Sequence, residues 1–174
     1  YDINSFLLRN ERQDIDACIE AANVLGSSFL TIPSMDGSLL KSAEACHKTA
    51  KQLNVAGAIC KKAGLKLAYH NHNTEFQPQG NTYGYEILLK ETDPELVHFE
   101  MDLYWIVRAG KRPLDLFGEF PGRFPMWHVK DMDKNNVELN TEIGKGTIDF
   151  KAIFQEAKKA GLQHFFLEQE DNYV

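Results

Sequence analysis

The chain has 174 residues, of which 43% are hydrophobic and 25% are charged, and its formal net charge is −6. This composition is typical of a globular domain and argues against disordered, collagen-like and membrane-spanning classes, since no apolar run approaches the roughly 20 residues that cross a bilayer. Negative charge without a basic cluster argues against nucleic acid as a partner, because binding to phosphates needs clustered Lys and Arg.

Helix and strand patterns alternate along the chain. Apolar residues at helical spacing, ended by glycine or by Asp-Pro, predict helices, and short β-branched or aromatic runs predict strands. The predicted helices cover residues 12–25, 39–63, 85–90, 114–120 and 150–160. The predicted strands cover residues 28–33, 65–72, 97–102, 125–131 and 164–168. Ser38 and Asp149 are the expected N-terminal caps of the second and the last helix.

Two joints between a helix and a strand repeat nearly the same residues, KKAGLKL at 61–67 and KKAGLQ at 158–163. Strand ends spaced about 30 to 40 residues apart indicate repeated βα units with right-handed crossovers onto a parallel sheet. An open doubly wound sheet and part of a closed βα barrel both fit this pattern. The barrel is favoured, because no glycine-rich fingerprint follows the first strand and polar residues end at least four strands.

Side chains that can bind a metal ion or transfer a proton stand at these strand ends. They are His70, His72, Glu75, Asp102, His128, Asp131, Glu168 and Glu170. Imidazole and carboxylate groups in mixed ligation suit a divalent ion such as Mn²⁺, Zn²⁺, Co²⁺, Fe²⁺ or Mg²⁺. In a barrel the carboxyl ends of all strands meet at one mouth, so we expect these side chains to converge there.

Each candidate also has a structural interpretation. His70 and His72 fit a hydrogen-bonded pair, Asp102 fits a helix cap, and His128 fits a packed ring. Glu168 ends an apolar strand, where an unpaired charge is costly, so it is expected to have a partner. The remaining three carboxylates, Glu75, Asp131 and Glu170, fit supporting or solvated positions.

Four residues are expected to contact a substrate: His72, Trp105, Lys130 and Glu170. Lys130 is a cation at a strand end, suited either to a substrate oxyanion or to pairing with Asp131. Tyr104, Trp105 and Trp127 suggest an apolar wall. The segment GKG at 144–146 lacks the residues of a phosphate-binding loop, and we interpret it as a flexible loop before the last helix.

Five ordered segments resemble the xylose isomerase-like TIM-barrel family, described as sugar phosphate isomerases/epimerases: YHNHNTEF, FEMDLYW, FPMWHVKDMD, IGKGTIDF and FFLEQED. The resemblance covers most of the chain. It implies a (β/α)8 TIM barrel, here partial, in which residues 1–174 form a single domain comprising about strands four to eight. The first three βα units of such a barrel are expected to be missing.

The resemblance also implies a divalent metal ion held at the ends of strands five to eight. Asp102, His128 and Glu168 match the ligand positions of the last three strands. His70 stands where relatives usually carry glutamate. Either His70 takes over as ligand, or Glu75 serves as the second carboxylate.

The activity implied by the resemblance is that of a metal-dependent isomerase or epimerase, which removes a proton next to the carbonyl of a sugar or sugar derivative through an enediolate. Glu168 is the expected base, and His70, His72 or Glu75 would return a proton. A dehydratase or lyase acting on a keto-sugar or keto-inositol is the second interpretation. A non-catalytic carbohydrate-binding barrel is the third, and an endonuclease is the least favoured because of the negative charge.

The expected partner is a small-molecule carbohydrate, without nucleic acid or membrane, and a homo-oligomer is compatible with the sequence. The three cysteines, Cys18, Cys46 and Cys60, are far apart within helical patterns, which predicts reduced, packed thiols. No signal-peptide pattern is present, so a cytoplasmic location is favoured. A periplasmic location stays open because the chain does not begin with Met.

Overall fold

Strands alternate with helices in the computed structural model, which describes residues 4–9 and 11–171. The chain divides into two units, the first formed by Tyr1–His70 and Thr74–His98 and the second by Asn71–Asn73 and Phe99–Val174. The expectation of a single domain stays a prediction. Within the described residues, no helix is both long enough and apolar enough to cross a membrane.

Unit 1 contains a parallel strand pair covered by helices. Its elements are α1 (Asn4–Arg9), α2 (Arg12–Val24), β1 (Phe29–Ile32), α3 (Ala43–Lys62), β2 (Lys66–His70), β3 (Pro78–Gln79), β4 (Thr82–Tyr83) and α4 (Gly84–Glu91). β1 pairs with β2 in parallel, with Leu30 opposite Leu67. β3 and β4 form a short antiparallel hairpin that was not predicted.

The long helix α3 begins later than predicted. Asp36, rather than Ser38, accepts the first hydrogen bond, and the chain forms only a 3₁₀ turn over Gly37–Leu39. Ser42 is the true cap, since its hydroxyl accepts from the backbone N–H of Ala45 at 3.1 Å. The three cysteines are free thiols, with Cys46 and Cys60 buried, as the sequence predicts.

Unit 2 contains the remaining strands. Its elements are β5 (Val97–Asp102), which starts at the end of unit 1, then α5 (Leu103–Arg108), α6 (Pro113–Glu119), β6 (Met126–Val129), β7 (Asp131–Met132), β8 (Asn140–Thr141), α7 (Phe150–Gln155), α8 (Ala157–Ala160) and β9 (His164–Leu167). β6 lies between β5 and β9 and pairs with both in parallel. β7 and β8 form an antiparallel hairpin.

The helices of unit 2 differ from prediction in two places. α5 was not predicted, because it follows β5 without a loop and is too short for a helical period to show. The expected helix over 150–160 is interrupted at Glu156, which separates α7 from α8. Asp149 caps α7 as predicted, accepting from the N–H of Ala152 at 3.0 Å.

The core of unit 2 is aromatic on the face of β6 that carries Trp127. Trp127 is fully buried, stacks on Phe117 at 5.1 Å between ring centroids, and meets Phe154 edge-on. β9 is much less covered, since Phe165 is 51% exposed and Leu167 is 68% exposed. Because side chains alternate along a strand, the residue after Trp127 points to the other face of the sheet.

Candidate active site

Polar residues of unit 2 gather where β5, β6 and β9 end. Asp102, the last residue of β5, lies opposite His128 on β6, and His128 lies opposite Phe166 on β9. Glu168 follows β9 directly, and its backbone N–H donates to the carbonyl of Val129 at 3.2 Å. Parallel strands in register therefore bring Asp102, His128 and Glu168 to the same edge of the sheet.

Asp102 is fully buried and uses its two oxygens differently. Oδ1 accepts from the N–H of Trp105 at 3.2 Å and so caps α5, while the backbone N–H of Asp102 donates to Oδ1 of Asn71 at 3.1 Å. Oδ2 lies 3.9 Å from Nδ1 of His128 and 3.9 Å from Nζ of Lys130. The capping role considered from the sequence is confirmed, and it leaves Oδ2 directed at the other site residues.

His128 has a carboxylate on each side of its ring. Nδ1 lies 3.2 Å from Oε2 of Glu168, and Nε2 lies 3.5 Å from Oε1 of the buried Glu100. A neutral imidazole has a single N–H, whereas an ionised carboxylate can only accept, so one of these contacts joins two acceptors unless a proton or a cation lies between them. This donor set suits a divalent ion, which Asp102, His128 and Glu168 would hold.

Lys130 is fully buried although it carries a charge. Its Nζ lies 2.7 Å from Oε2 of Glu170 and 2.9 Å from Oε2 of Glu168, and it lies 5.6 Å from the centre of the Trp105 ring. Burial lowers the pKa of Lys130, but the hydrogen bonds to Glu170 and Glu168 outweigh burial, and the net pKa is raised. Lys130 is therefore a cation at neutral pH within this cluster of carboxylates.

Solvent reaches Glu168, since its side chain is 31% exposed. Burial raises the pKa of this carboxyl group. The hydrogen bond from Lys130 and the charges of Lys130 and His128 act in the opposite direction and outweigh burial, so the net pKa lies below its ordinary value. Glu168 is thus an ionised and accessible carboxylate at neutral pH.

Beside the cluster, aromatic rings and a histidine form a wall. The His72 ring lies 5.5 Å from that of Trp105, and Trp105 meets Tyr104 edge-on at 4.9 Å. The guanidinium of Arg108 lies 5.0 Å from the Trp105 ring and donates to the Tyr104 hydroxyl at 3.1 Å. Two of the residues predicted to contact substrate, His72 and Trp105, therefore lie together.

The other two predicted catalytic residues belong to unit 1. His70 is the buried last residue of β2, so the predicted strand over 65–72 ends before His72. Glu75 is buried and accepts hydrogen bonds on both oxygens, from the Tyr69 hydroxyl and from Thr74 Oγ1. Burial and the Glu75 carboxylate raise the pKa of Tyr69 well above its usual range. The catalytic roles of His70 and Glu75 stay predictions from the sequence.

Asp131 is a fully buried anchor for a loop, and not a solvated carboxylate or a partner of Lys130. Its Oδ2 accepts from the backbone N–H groups of Gly144 and Gly146 at 2.9 and 3.0 Å, and its Oδ1 accepts from that of Ile148 at 3.1 Å. A Cβ at Gly146 would lie 2.3 Å from the Asp131 carboxylate. The loop interpreted from the sequence as flexible is therefore held by a single side chain.

Two residues of the site were not singled out from the sequence, Glu100 and Asn140. Glu100 stands two residues before Asp102 on β5, so strand alternation alone could have placed both on one face. Asn140 lies in the two-residue strand β8 and accepts from the backbone N–H of Glu170 at 2.7 Å. Such a short strand leaves no periodic pattern in the sequence.

Comparison with known proteins agrees with this fold. Residues 4–172 match the model of a family described as xylose isomerase-like TIM barrel. An inosose dehydratase from Clostridium perfringens is 31% identical over 140 residues, which cover 71% of this chain and 46% of the relative. The crystal structure of a sugar phosphate isomerase/epimerase from Parabacteroides distasonis aligns with a TM-score of 0.75 and 29% identity, covering 92% of this chain and 59% of the other.

A second similar structure is that of an IolI protein with a bound zinc atom. It aligns with a TM-score of 0.66 and 16% identity over 90% of this chain and 59% of the other, and this level of identity speaks for the fold alone. The chain spans about half the length of the relatives that it matches.

Proposed function

Because the chain belongs to the xylose isomerase-like TIM barrel family, we propose that the protein is a divalent-metal-dependent enzyme that removes a proton from the carbon next to the carbonyl of a keto-sugar or keto-inositol. The observation that carries this proposal is the gathering of Asp102, His128 and Glu168 at three adjacent strand ends. Two carboxylates and an imidazole are a ligand set for ions such as Zn²⁺ and Mn²⁺.

Asp102, His128 and Glu168 are the residues that would hold the ion. When bound, it would polarise the substrate carbonyl and stabilise the negative charge that develops on its oxygen. The partial burial of the cluster strengthens this effect, because charges interact more strongly where water is largely excluded.

Glu168 is the proposed base. Its contacts with His128 and Lys130 are both made by Oε2, so Oε1 is the oxygen to which we assign proton abstraction. The lowered pKa of Glu168 keeps the carboxylate ionised at neutral pH. A base with a low pKa is weak, and the reaction therefore depends on stabilising the enolate oxygen as well as on accepting the proton.

Dehydration is the proposed outcome, ahead of the isomerisation or epimerisation favoured by the sequence alone. The 31% identity to an inosose dehydratase over 71% of the chain supports it. In dehydration the proton on the carbon next to the carbonyl goes to Glu168, a β-hydroxyl group leaves, and a second proton converts that group to water. His72 is the proposed proton donor, since it lies against Trp105 in the wall beside Glu168.

The charge of the cluster favours a substrate without phosphate. Four carboxylates lie within 4.0 Å of His128 or Lys130: Glu100, Asp102, Glu168 and Glu170. Lys130 is engaged by three of these carboxylates, and Arg108 contacts Tyr104 and Glu138. A phosphate ester would meet net negative charge here, whereas an uncharged polyol offers hydroxyl groups as hydrogen-bond donors.

The proposal is tested with the complete protein loaded with Zn²⁺ or Mn²⁺ and incubated in deuterated water with unphosphorylated keto-inositols and ketoses and with their phosphates. We expect metal-dependent loss of water from an unphosphorylated substrate, seen as an unsaturated carbonyl product. Deuterium appearing in a recovered or isomeric sugar without dehydration would instead select the isomerase or epimerase outcome. The enzymatic proposal would be overturned if the complete protein bound no divalent ion and exchanged no carbon-bound hydrogen of any of these substrates.

Matched variants sharpen this test. Glu168→Gln removes the base and should lower turnover by about 100-fold or more, while Glu119→Gln alters an exposed carboxylate at the end of α6 and should not. His128→Ala should reduce metal content, whereas His164→Ala, at an exposed histidine of β9, should leave it unchanged. Equal effects within either pair would contradict the assignment of these side chains.

A further inference from the structure

A chain of polar contacts links the β7–β8 hairpin to the proposed base. Asn140, in β8, is 2% exposed. Its Oδ1 accepts from the backbone N–H groups of Glu170 at 2.7 Å and Asp171 at 3.1 Å. Its own backbone N–H donates to Oδ1 of Asp171 at 2.7 Å. Three hydrogen bonds from one residue therefore fix the segment that follows β9.

This segment carries the carboxylate that holds Lys130. Glu170 Oε2 accepts from Lys130 Nζ at 2.7 Å, and the same ammonium lies 2.9 Å from Oε2 of Glu168. The Glu170 side chain is 56% exposed, so without its backbone restraint it would be free to turn into solvent. The position of Lys130, and with it that of Glu168, depends on where the backbone at residue 170 is held.

We propose that Asn140 is a positioning residue for Glu168, and that it acts through Glu170 and Lys130. This inference rests on the proposed function and adds a role for the β7–β8 hairpin, which contributes no ligand. Glu170 then serves to orient Lys130, in place of the direct substrate contact expected from the sequence. Holding a base to within fractions of an ångström contributes to the reaction step far more than to the binding of substrate.

The test compares kinetic constants of variants in the complete, metal-loaded protein. Asn140→Ala removes the acceptor for two backbone N–H groups and should lower kcat by about 10- to 100-fold, as typical for residues that orient a metal site, with KM changed little. Asn136→Ala is the matched control. Asn136 is an exposed asparagine between β7 and β8, and its Oδ1 accepts only locally, from the N–H of Glu138 at 3.0 Å.

A double-mutant cycle with Glu170→Gln then separates a linked chain from general loosening of the fold. Glu170→Gln weakens the carboxylate contact to Lys130 and leaves the backbone contacts of Asn140 in place. If both residues act through Lys130, the double variant should lose no more kcat than the more impaired single variant, so the effects are non-additive. If Asn140→Ala fails to fold, Glu170→Gln alone carries the test through its kcat loss at unchanged KM.

The outcomes distinguish this inference from the proposed function. An active wild type, an inactive Glu168→Gln variant, and single variants with kcat within about two-fold of wild type would overturn the positioning role and leave the function standing, because so small a change lies within the ordinary scatter of surface substitutions. Additive losses would overturn it as well. An inactive wild type, or a Glu168→Gln variant as active as an active wild type, would count against the proposed function itself.

Discussion

At the scale of single residues, the site depends on charge balance. Lys130 is fully buried and lies within 4.0 Å of three carboxylates, those of Asp102, Glu168 and Glu170. Bringing charges out of water is unfavourable, and it is tolerated only where opposite charges and hydrogen bonds compensate it. Lys130 therefore makes it possible for several carboxylates to remain ionised together at the strand ends.

Replacing Lys130 should destabilise the protein. Lys130→Met leaves the carboxylates uncompensated and should lower the free energy of unfolding by about 3 kcal/mol, the lower end for breaking a buried pair, because Glu168 and Glu170 stay partly hydrated. Urea denaturation of the metal-free protein measures this change. Lys145→Met is the control, since Lys145 pairs with Glu142 at 2.9 Å while 70% exposed and should have little effect. Equal losses would show that burial is not the cause.

The Cys60 thiol predicts a pH dependence of stability. Burial raises the pKa of Cys60 to about 11 in the folded protein. In the unfolded chain a thiol ionises at about pH 8.5. Above this pH the unfolded state is stabilised by losing a proton that the folded state retains.

Stability should therefore be independent of this thiol at neutral pH and should fall as pH rises from about 8.5 towards 11. The expected measurement is urea denaturation of wild type and Cys60→Ala across this range. The wild type should lose more stability with rising pH than the variant does. Parallel pH profiles would contradict the assignment of this pH dependence to Cys60.

The sequence allowed the residues of the site to be predicted better than the contacts between them. Glu168 was expected to have a partner, because a lone charge at the end of an apolar strand is unfavourable, and Lys130 and His128 are those partners. Lys130 was open to pairing with Asp131, its neighbour in sequence. Successive residues at a strand end point to opposite sides, so Lys130 meets side chains from the next strand instead.

At the scale of elements, helix α3 packs at Gly57 so closely against the backbone of Leu96 that a side chain would not fit. Gly57 lies in α3, where the sequence marks it only as a weak point in the helix. A Cβ built there would lie 2.3 Å from the carbonyl oxygen of Leu96. Helical periodicity could be read from the sequence, but this close approach depends on the path of the segment before β5, which no local pattern reveals.

Gly57→Ala should therefore destabilise the protein, although alanine favours helices by about 1 kcal/mol over glycine. Overpacking against a backbone carbonyl should exceed that gain and give a net loss of about 1 to 2 kcal/mol. Gly37→Ala provides the comparison, because a Cβ at Gly37 meets no atom within 4 Å. Thermal or urea unfolding measures both variants, and a Gly57→Ala protein more stable than wild type would rule out the close contact.

At the scale of the whole molecule, β9 stands apart from the other strands of its unit. Within the described residues its only strand partner is β6, and all four of its residues are exposed. Apolar side chains on a strand with an open edge favour pairing with another strand. The sequence predicted this strand correctly, but an apolar run looks the same whether or not another element covers it.

The 174-residue polypeptide should accordingly self-associate through β9. Leu167→Lys places a charge on the exposed strand and should shift the polypeptide towards the monomer in light scattering after gel filtration. Leu25→Lys makes the same change at a comparably exposed leucine, 79% against 68%, outside any strand. Equal association of the two variants would exclude β9 as the contact.

The loop held by Asp131 has a consequence for which substitutions the protein tolerates. Asp131 accepts hydrogen bonds from backbone N–H groups, which every residue except proline supplies in the same way. The side chains of Ile143, Lys145 and Thr147 are exposed, so we expect substitutions at these positions to be tolerated. Substitutions of Asp131 or Gly146 should not be tolerated. Asp131 supplies the hydrogen-bond acceptors, and the absence of a side chain at Gly146 leaves room for the Asp131 carboxylate. A library of variants across residues 142–148 should thus retain broad diversity at the odd-numbered positions and almost none at Gly146.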